Sequence, residues 1–285
     1  MILGENVELE NAIVLILAGQ KCSAEDLLST LAKQHMSPTI QGVYRALTKL
    51  QEEKVVIKEK RMYAIRIPWI LELTETVHAM EDTYLQGTYM NQMLPDAHCK
   101  KRVTKYNNIF PFIDTWTKIL LAMAQKSKSG IALWYTPHTW YALTHTKEWS
   151  QFKTRFLHLI DRQYTVVGSQ QFADHYLNAL TNRPQQENSY FAPPDECGEI
   201  DRSLYTAVID DFVLTIKFDD RTTENIETLF SHIHSEDDIH VMDVFSAFTG
   251  KCKITMTIRE DAKRARKIRK KFESFFGPLE RKKSV

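Results

Sequence analysis

Polar side chains that can pair with nucleic acid recur along one side of the segment 37–49. Val43, Ala46, Leu47 and Leu50 are spaced at three and four residues, which predicts a helix with one buried stripe. Arg and Gln on the opposite side can pair with base edges, and Ser and Thr with phosphates. The predicted contact residues are Ser37, Thr39, Gln41, Tyr44, Arg45 and Lys49. The alternative is an ordinary solvated helix face.

The elements around this segment read as three helices and a hairpin. An apolar run predicts a first helix over 7–18, and Ser23 with Asp26 forms a capping box that opens a second helix ending near 35. Ser37 and Pro38 repeat the start signal for the third helix.

Two strands follow over 55–58 and 62–67, with a charged tip at 59–61. This order is that of the winged helix-turn-helix, in which the second helix of the pair enters the major groove and the wing contacts the backbone. We therefore predict a winged-helix DNA-binding domain over residues 1–67, with Lys58, Lys60 and Arg61 as wing contacts.

A further helix should begin at Pro68, within a linker or dimerisation segment over 68–93. Apolar residues follow at steps of three and four, the a/d spacing of a coiled coil. They are Ile70, Leu73, Val77, Met80 and Tyr84. The stripe is either a dimer seam or a surface that packs on the winged domain.

The rest of the chain predicts a second domain over 109–277, after a polar, irregular boundary at 94–108. Helices alternate with short apolar strands, so the fold class is mixed α/β (α+β). The predicted helices cover 113–126, 147–161, 170–181, 223–232 and 260–276. The predicted strands and apolar stretches cover 131–135, 164–167, 204–209, 212–218, 241–248 and 253–258, and 182–201 is predicted to be a loop.

Aromatic residues are dense beside the predicted strand 131–135, where α/β sheets often place ligand clefts. Trp134, Tyr135, His138 and Trp140 are the candidate ligand-binding residues. Plain core packing is the alternative.

Catalytic and metal chemistry is poorly represented. His145 and Lys147 have the spacing that begins a phospholipase D motif, but Phe152 stands where its Asp would be. The cluster His232, His234, Asp237, Asp238 and His240 matches no metal-ligand spacing and reads as an exposed loop. We predict no enzyme activity, no metal and no cofactor.

Net charge, cysteine spacing and hydropathy limit the partners and the cellular location that the sequence predicts. The net charge is only +1, yet residues 260–271 are strongly basic, which indicates either an amphipathic helix on the C-terminal sheet or a second nucleic-acid site. Cys22, Cys99, Cys197 and Cys252 lie far apart and read as reduced thiols. The apolar run 12–18 is too short for a membrane span, so we expect a cytoplasmic protein without a membrane partner.

The segment 43–56, VYRALTKLQEEKVV, resembles the recognition helix and wing of the TrmB-like transcriptional regulators. The hairpin around Asp210-Asp211, the strand 253–258 and the helix ending KFESFF are similar to the close of that family's effector domain. The resemblance implies a winged helix, a coiled-coil helix and an effector domain of phospholipase D-like fold without its catalytic motifs.

Together these features predict a homodimeric transcription regulator that binds double-stranded DNA in a sequence-specific manner. Its C-terminal domain would dimerise and sense a small-molecule effector. The sequence leaves two alternatives open: a winged-helix module that contacts protein, and a degenerate phospholipase D-like hydrolase or nuclease.

Overall fold

The computed structural model describes residues 8–84, 87–96, 99–144, 147–182, 186–193, 201–239 and 252–280. The chain divides into two compact units, residues 1–86 and 87–285. Each unit combines helices with β-structure, in agreement with the predicted mixed α/β class. This division lies N-terminal to the domain boundary predicted at 94–108.

The N-terminal unit begins with three helices: α1 (Leu9–Leu17), α2 (Ala24–Lys33) and α3 (Ile40–Glu52). The predicted capping box is present, since Ser23 accepts from the Asp26 amide and the Asp26 carboxylate accepts from the Ser23 amide. The start predicted for α3 at Ser37 and Pro38 is wrong. Thr39 is the N-cap, because its hydroxyl accepts from the Gly42 amide and satisfies an otherwise unpaired donor of the first turn.

A hairpin of β1 (Val56–Glu59) and β2 (Met62–Ile65) follows, with Lys60 in the left-handed conformation at its turn. Cys22 pairs with Tyr63 through two backbone hydrogen bonds, which attach the hairpin to the start of α2. The core beneath it combines all three helices and the hairpin, with Leu27, Leu47 and Tyr63 among its buried members.

Helix α4 (Ile67–Tyr84) continues from the hairpin. Trp69 in its first turn packs against the winged-helix core. The a/d stripe does not: Ile70, Leu73, Val77, Met80 and Tyr84 are between 36% and 57% exposed. The interpretation in which this stripe packs on the winged domain is therefore excluded.

The C-terminal unit contains seven strands and, in its described part, five longer helices. The strands are β3 (Lys101–Tyr106), β4 (Ile131–Thr136), β5 (Arg162–Val167), β6 (Glu187–Phe191), β7 (Leu204–Ile209), β8 (Phe212–Phe218) and β9 (Ile254–Glu260). The helices are α5 (Ile109–Lys126), α6 (Lys147–Leu159), α7 (Phe172–Thr181), α8 (Asp220–His232) and α9 (Ala262–Phe276). Short 3₁₀ turns occupy Gly87–Met93, Trp140–Thr144 and Glu236–Asp238.

The seven strands form one mixed sheet in the order β3-β9-β8-β7-β4-β5-β6. The β4, β5 and β6 strands are mutually parallel, while β4 pairs antiparallel with β7. The remaining neighbours, β7 with β8, β8 with β9 and β9 with β3, are antiparallel. The predicted β7–β8 hairpin is confirmed at its predicted bounds, with Asp210 at a φ of 49° in its turn.

Two strands lie where the sequence predicts irregular chain. Lys101–Tyr106 is an edge strand inside the polar stretch 94–108, and Glu187–Phe191 is the opposite edge strand inside the predicted loop 182–201. The prediction failed because both strands carry few apolar residues. Lys101–Tyr106 also has a solvated face, which does not need them.

Some predicted features lie outside the described residues: the apolar stretch 241–248, the Pro-containing parts of the loop at 183–185 and 194–200, and Cys197. The three described cysteines are free thiols. Within the described residues, every helix falls short of the length and apolar character that a bilayer crossing requires.

Candidate nucleic-acid interface

The outer face of α3 presents a continuous line of polar side chains. Val43, Ala46, Leu47 and Leu50 are buried beneath it. Gln41, Arg45 and Thr48 are exposed at positions i, i+4 and i+7, so they lie on one line opposite the buried stripe. Thr48, which was not among the predicted contacts, was identifiable from this spacing. Its hydroxyl donates to the Tyr44 carbonyl.

Tyr44 and Lys49 lie on the two flanks of this line, each next to a carboxylate of a neighbouring helix. The Tyr44 hydroxyl donates to Glu25 of α2 at 3.3 Å, and the negative charge of Glu25 raises the pKa of Tyr44. Lys49 Nζ lies 3.2 Å from Glu10 of α1, and this hydrogen bond raises the pKa of Lys49. A phosphate that used these two side chains would compete with Glu25 and Glu10.

Ser37 and Thr39 lie at the start of α3 and are exposed. The Thr39 hydroxyl oxygen accepts a hydrogen bond from the Gly42 amide at 3.1 Å and so caps the helix. Its proton remains available to an acceptor such as a phosphate oxygen. The N-terminus of a helix attracts anions, because its unpaired backbone amides point outward.

The hairpin carries three exposed cations, two in its turn and one in the adjoining strand β1. Lys58 Nζ lies 5.3 Å from the centre of the Tyr63 ring, which steadies its side chain. Lys60 and Arg61 form the two-residue turn itself, since Glu59 and Met62 are the last paired residues. Glu59 is occupied by Lys21 at 2.7 Å, and this hydrogen bond lowers the pKa of Glu59. The tip therefore keeps Lys60 and Arg61 directed to solvent.

The four candidate ligand-binding residues of the C-terminal unit are not brought into one cavity. Trp134 and Trp140 belong to an aromatic cluster on one face of the sheet, around Trp116, with ring centres 6.3 and 6.0 Å from it. Tyr135 packs on the opposite face, because neighbouring strand residues point to opposite sides.

His138, the fourth candidate, is 1% exposed and lies between two carboxylates. Its Nδ1 lies 2.8 Å from Asp174 of α7 and its Nε2 lies 3.0 Å from Glu227 of α8. Burial alone would lower the pKa of His138, but the hydrogen bonds to Asp174 and Glu227 outweigh it and raise the pKa to about 9. The buried His138 ring thereby links α7 to α8.

The remaining chemical candidates are the histidines and carboxylates near 145 and 232–240. His145 and His240 lie outside the described residues. His232 bonds the Thr228 carbonyl at 2.7 Å, and Asp238 accepts from the Ser235 amide in a short turn. Among the described residues, no group of three or more His, Cys, Asp or Glu side chains is placed to hold a metal ion.

The basic C-terminal helix is docked on the sheet. Ala265 and Phe272 of α9 are buried in the core of that sheet face, with Val166 and Val208. Lys263, Arg266 and Lys270 are exposed on the other side of the helix. The predicted amphipathic packing is present, and its charged side faces solvent.

Solved structures include two that are remotely similar to this chain. No protein-family description and no curated protein matches the chain. The solved structure of TrmBL2, an archaeal chromatin protein described as showing a novel mode of DNA binding, is 10% identical, covers 94% of this chain and 92% of its own, and has a TM-score of 0.33. NucT from Helicobacter pylori is 10% identical, covers 62% of this chain and 96% of its own, and also has a TM-score of 0.33. At this similarity neither likeness bears on function.

Proposed function

We propose that this protein is a sequence-specific DNA-binding regulator of the TrmB-like kind, with no catalytic activity of its own. The observation that carries the proposal is the geometry of the N-terminal unit. A helix-turn-helix pair presents an exposed Gln41, Arg45 and Thr48 line, and a hairpin carries Lys60 and Arg61 at its turn. Side chains of these types are those that contact base edges and phosphates.

The outer face of α3 and the hairpin turn should contribute differently to DNA binding. Arg45 and Gln41 can each make paired hydrogen bonds to a purine in the major groove, which is worth about 1–3 kcal/mol of discrimination per base. Lys60 and Arg61 can only neutralise phosphates, which favours every sequence equally and releases counterions. Sequence preference therefore belongs to α3 and salt dependence to the wing.

The test is selection of bound duplexes from a randomised pool, followed by fluorescence-anisotropy titration of the enriched sequence. Arg45→Ala should weaken binding to that sequence by roughly tenfold or more and relax the preference at one base pair. Lys60→Asn with Arg61→Gln should weaken binding to all sequences and reduce the salt slope by about two.

Lys54→Asn is the matched control. Lys54 is exposed beyond the end of α3, and its φ of 60° is a conformation that Asn tolerates. It removes one positive charge, as Arg45→Ala does, and should leave affinity nearly unchanged. Failure of wild type to enrich any sequence at low salt would overturn the proposal and favour a protein partner for the winged helix.

We further propose that the protein is a homodimer joined through α4. The support is the exposed a/d stripe on that helix, because an apolar face of this length is seldom left in water. A dimer would place two recognition helices about one DNA turn apart and would require a pseudo-palindromic operator.

Light scattering after size exclusion measures this directly. Val77→Lys puts a charge in the centre of the stripe and should convert the dimer to a monomer. His78→Lys adds one charge to the exposed side of α4 away from the stripe and should leave the dimer intact. A wild-type monomer at micromolar concentration would contradict the proposal.

A sensing role for the C-terminal unit completes the proposal. A ligand could act on DNA binding only through a difference in its affinity between two states of the protein.

A further inference from the structure

A groove runs along α9 where that helix lies on the sheet. It has a volume of about 580 Å³, within the range of small-molecule sites. We call it the α9 groove and define it by Tyr135, Leu204 and Phe275 on its floor and by Arg264, Lys267 and Lys271 on its rim. It belongs entirely to the C-terminal unit.

The floor of the α9 groove is mostly apolar and comes from three elements, β4, β7 and α9. Tyr135 of β4 and Thr206 of β7 are direct partners across the sheet, and Leu204 lies on the same face two residues away. Phe275 closes the other side from α9. None of these side chains except Thr206 and the Tyr135 hydroxyl carries a polar atom, so an occupant must have an apolar body.

The rim is cationic. Arg264, Lys267 and Lys271 follow one side of α9 at steps of three and four, and Asp201 is the one carboxylate among the lining residues. Asp201 accepts from Ser203 and lies 3.7 Å from Lys217. Within the described residues, no carboxylate lies within ion-pair distance of Arg264 or Lys267. The charge that complements this rim is negative.

We propose that the α9 groove binds a free amphipathic anion, a carboxylate on an apolar chain. The carboxylate lies against Arg264 and Lys267, and the chain lies on the floor beside Tyr135 and Leu204. A guanidinium can hold a carboxylate through two parallel hydrogen bonds, and a lysine adds a second charge. An apolar floor distinguishes this groove from a nucleic-acid surface, where phosphates need only the cations.

An anion in the α9 groove is the ligand class for the sensing role of the C-terminal unit, and this assignment rests on the proposed function. It is tested as binding to the full chain in the absence of DNA, so its failure and the failure of DNA binding are separate results.

The experiment is calorimetric titration with three probes below their micellar concentrations. Decanoate has both the head and the chain, acetate has the head alone, and decyltrimethylammonium has the chain with the opposite charge. Decanoate should bind saturably, one per chain, and the other two should bind at least about tenfold more weakly, because each lacks half of the complementarity.

Two double variants locate the site. Arg264→Gln with Lys267→Gln should weaken decanoate by roughly tenfold or more. Lys263→Gln with Lys270→Gln removes the same charge from the outer side of α9, which does not line the groove, and should leave binding unchanged. Leu204→Trp should fill the floor and weaken decanoate with the rim intact, and the thermal midpoint of each variant verifies folding.

Three outcomes would overturn the proposal. They are no saturable binding of decanoate to wild type, equal losses in the two double variants, and decyltrimethylammonium binding as tightly as decanoate. The second would mean that α9 attracts anions only through its overall charge.

Discussion

His138 is a buried side chain of the C-terminal unit, and its two carboxylate partners raise its pKa to about 9 and so favour the imidazolium form. Asp174 accepts from its Nδ1, and also from the amide and hydroxyl of Thr139. Glu227 accepts from its Nε2 and is also bonded by Arg202. Sequence could not predict this network, because its members lie 36 and 89 positions from His138 and only the fold brings them together.

The raised pKa of His138 makes the stability of the C-terminal unit depend on pH. A folded-state pKa of about 9 against an ordinary value of 6.5 means that the folded state holds this proton more tightly. The stabilisation of the folded state by protonated His138 is fully present below about pH 6.5 and is lost as pH rises through about 9. The free energy of unfolding in urea should therefore fall between these pH values.

The His138→Gln variant should be less stable than wild type at low pH. Its free energy of unfolding should fall much less than that of wild type as pH rises through this range. His232→Gln is the control, since His232 is exposed at the end of α8. A decline of equal size in His138→Gln and wild type would assign the pH dependence to other groups.

At the scale of elements, local signals fix where helices begin. Ser23 both accepts from and donates to Asp26 around the first turn of α2. Ser23→Ala should lower the stability of the N-terminal unit by about 1 kcal/mol. Ser29→Ala, at an exposed position inside the same helix, should be neutral or slightly stabilising, because Ala is the better helix former. Chemical denaturation of the two variants measures the difference.

The turn of the β7–β8 hairpin is fastened to a loop far away in sequence. The Asp210 carboxylate accepts from the amides of Lys128 at 2.5 Å and Ser129 at 3.0 Å. Asp210→Ala removes both bonds and places Ala at a positive φ, so we expect a loss of about 2–4 kcal/mol. Asp211→Ala, at the exposed neighbour, should cost far less. Equal unfolding midpoints for the two variants would contradict this account.

At the scale of the whole molecule, each unit has its own hydrophobic core. One core uses residues of α1, α2, α3 and the wing, and another uses residues of β4, β5, β7, β8 and α9. Calorimetry should therefore resolve two transitions, with Ser23→Ala lowering one midpoint and Asp210→Ala lowering the other. The two effects should add in the double variant within about 0.5 kcal/mol. A single transition that both substitutions move equally would show instead that the units unfold together.

The sequence predicts the individual elements far better than their arrangement. Helical stripes such as Val43 to Leu50 and the Asp210-Asp211 turn are local, so their elements are recognisable without the fold. The antiparallel pairing of β4 with β7 is a non-local choice that no short pattern encodes. Likewise, α3 could be identified from spacing, whereas the carboxylates that hold Tyr44 and Lys49 could not, because they lie on other helices.

The edge strand β3 has a consequence for solubility. Within the described part of the sheet, β3 is an edge strand that pairs only with β9. The backbone groups on the other side of an edge strand can pair with a strand of another molecule. Lys101, Arg102 and Lys105 place three positive charges along its six residues. Two copies that approached edge to edge would bring these like charges together. Positive charges of this kind disfavour aggregation through an edge strand.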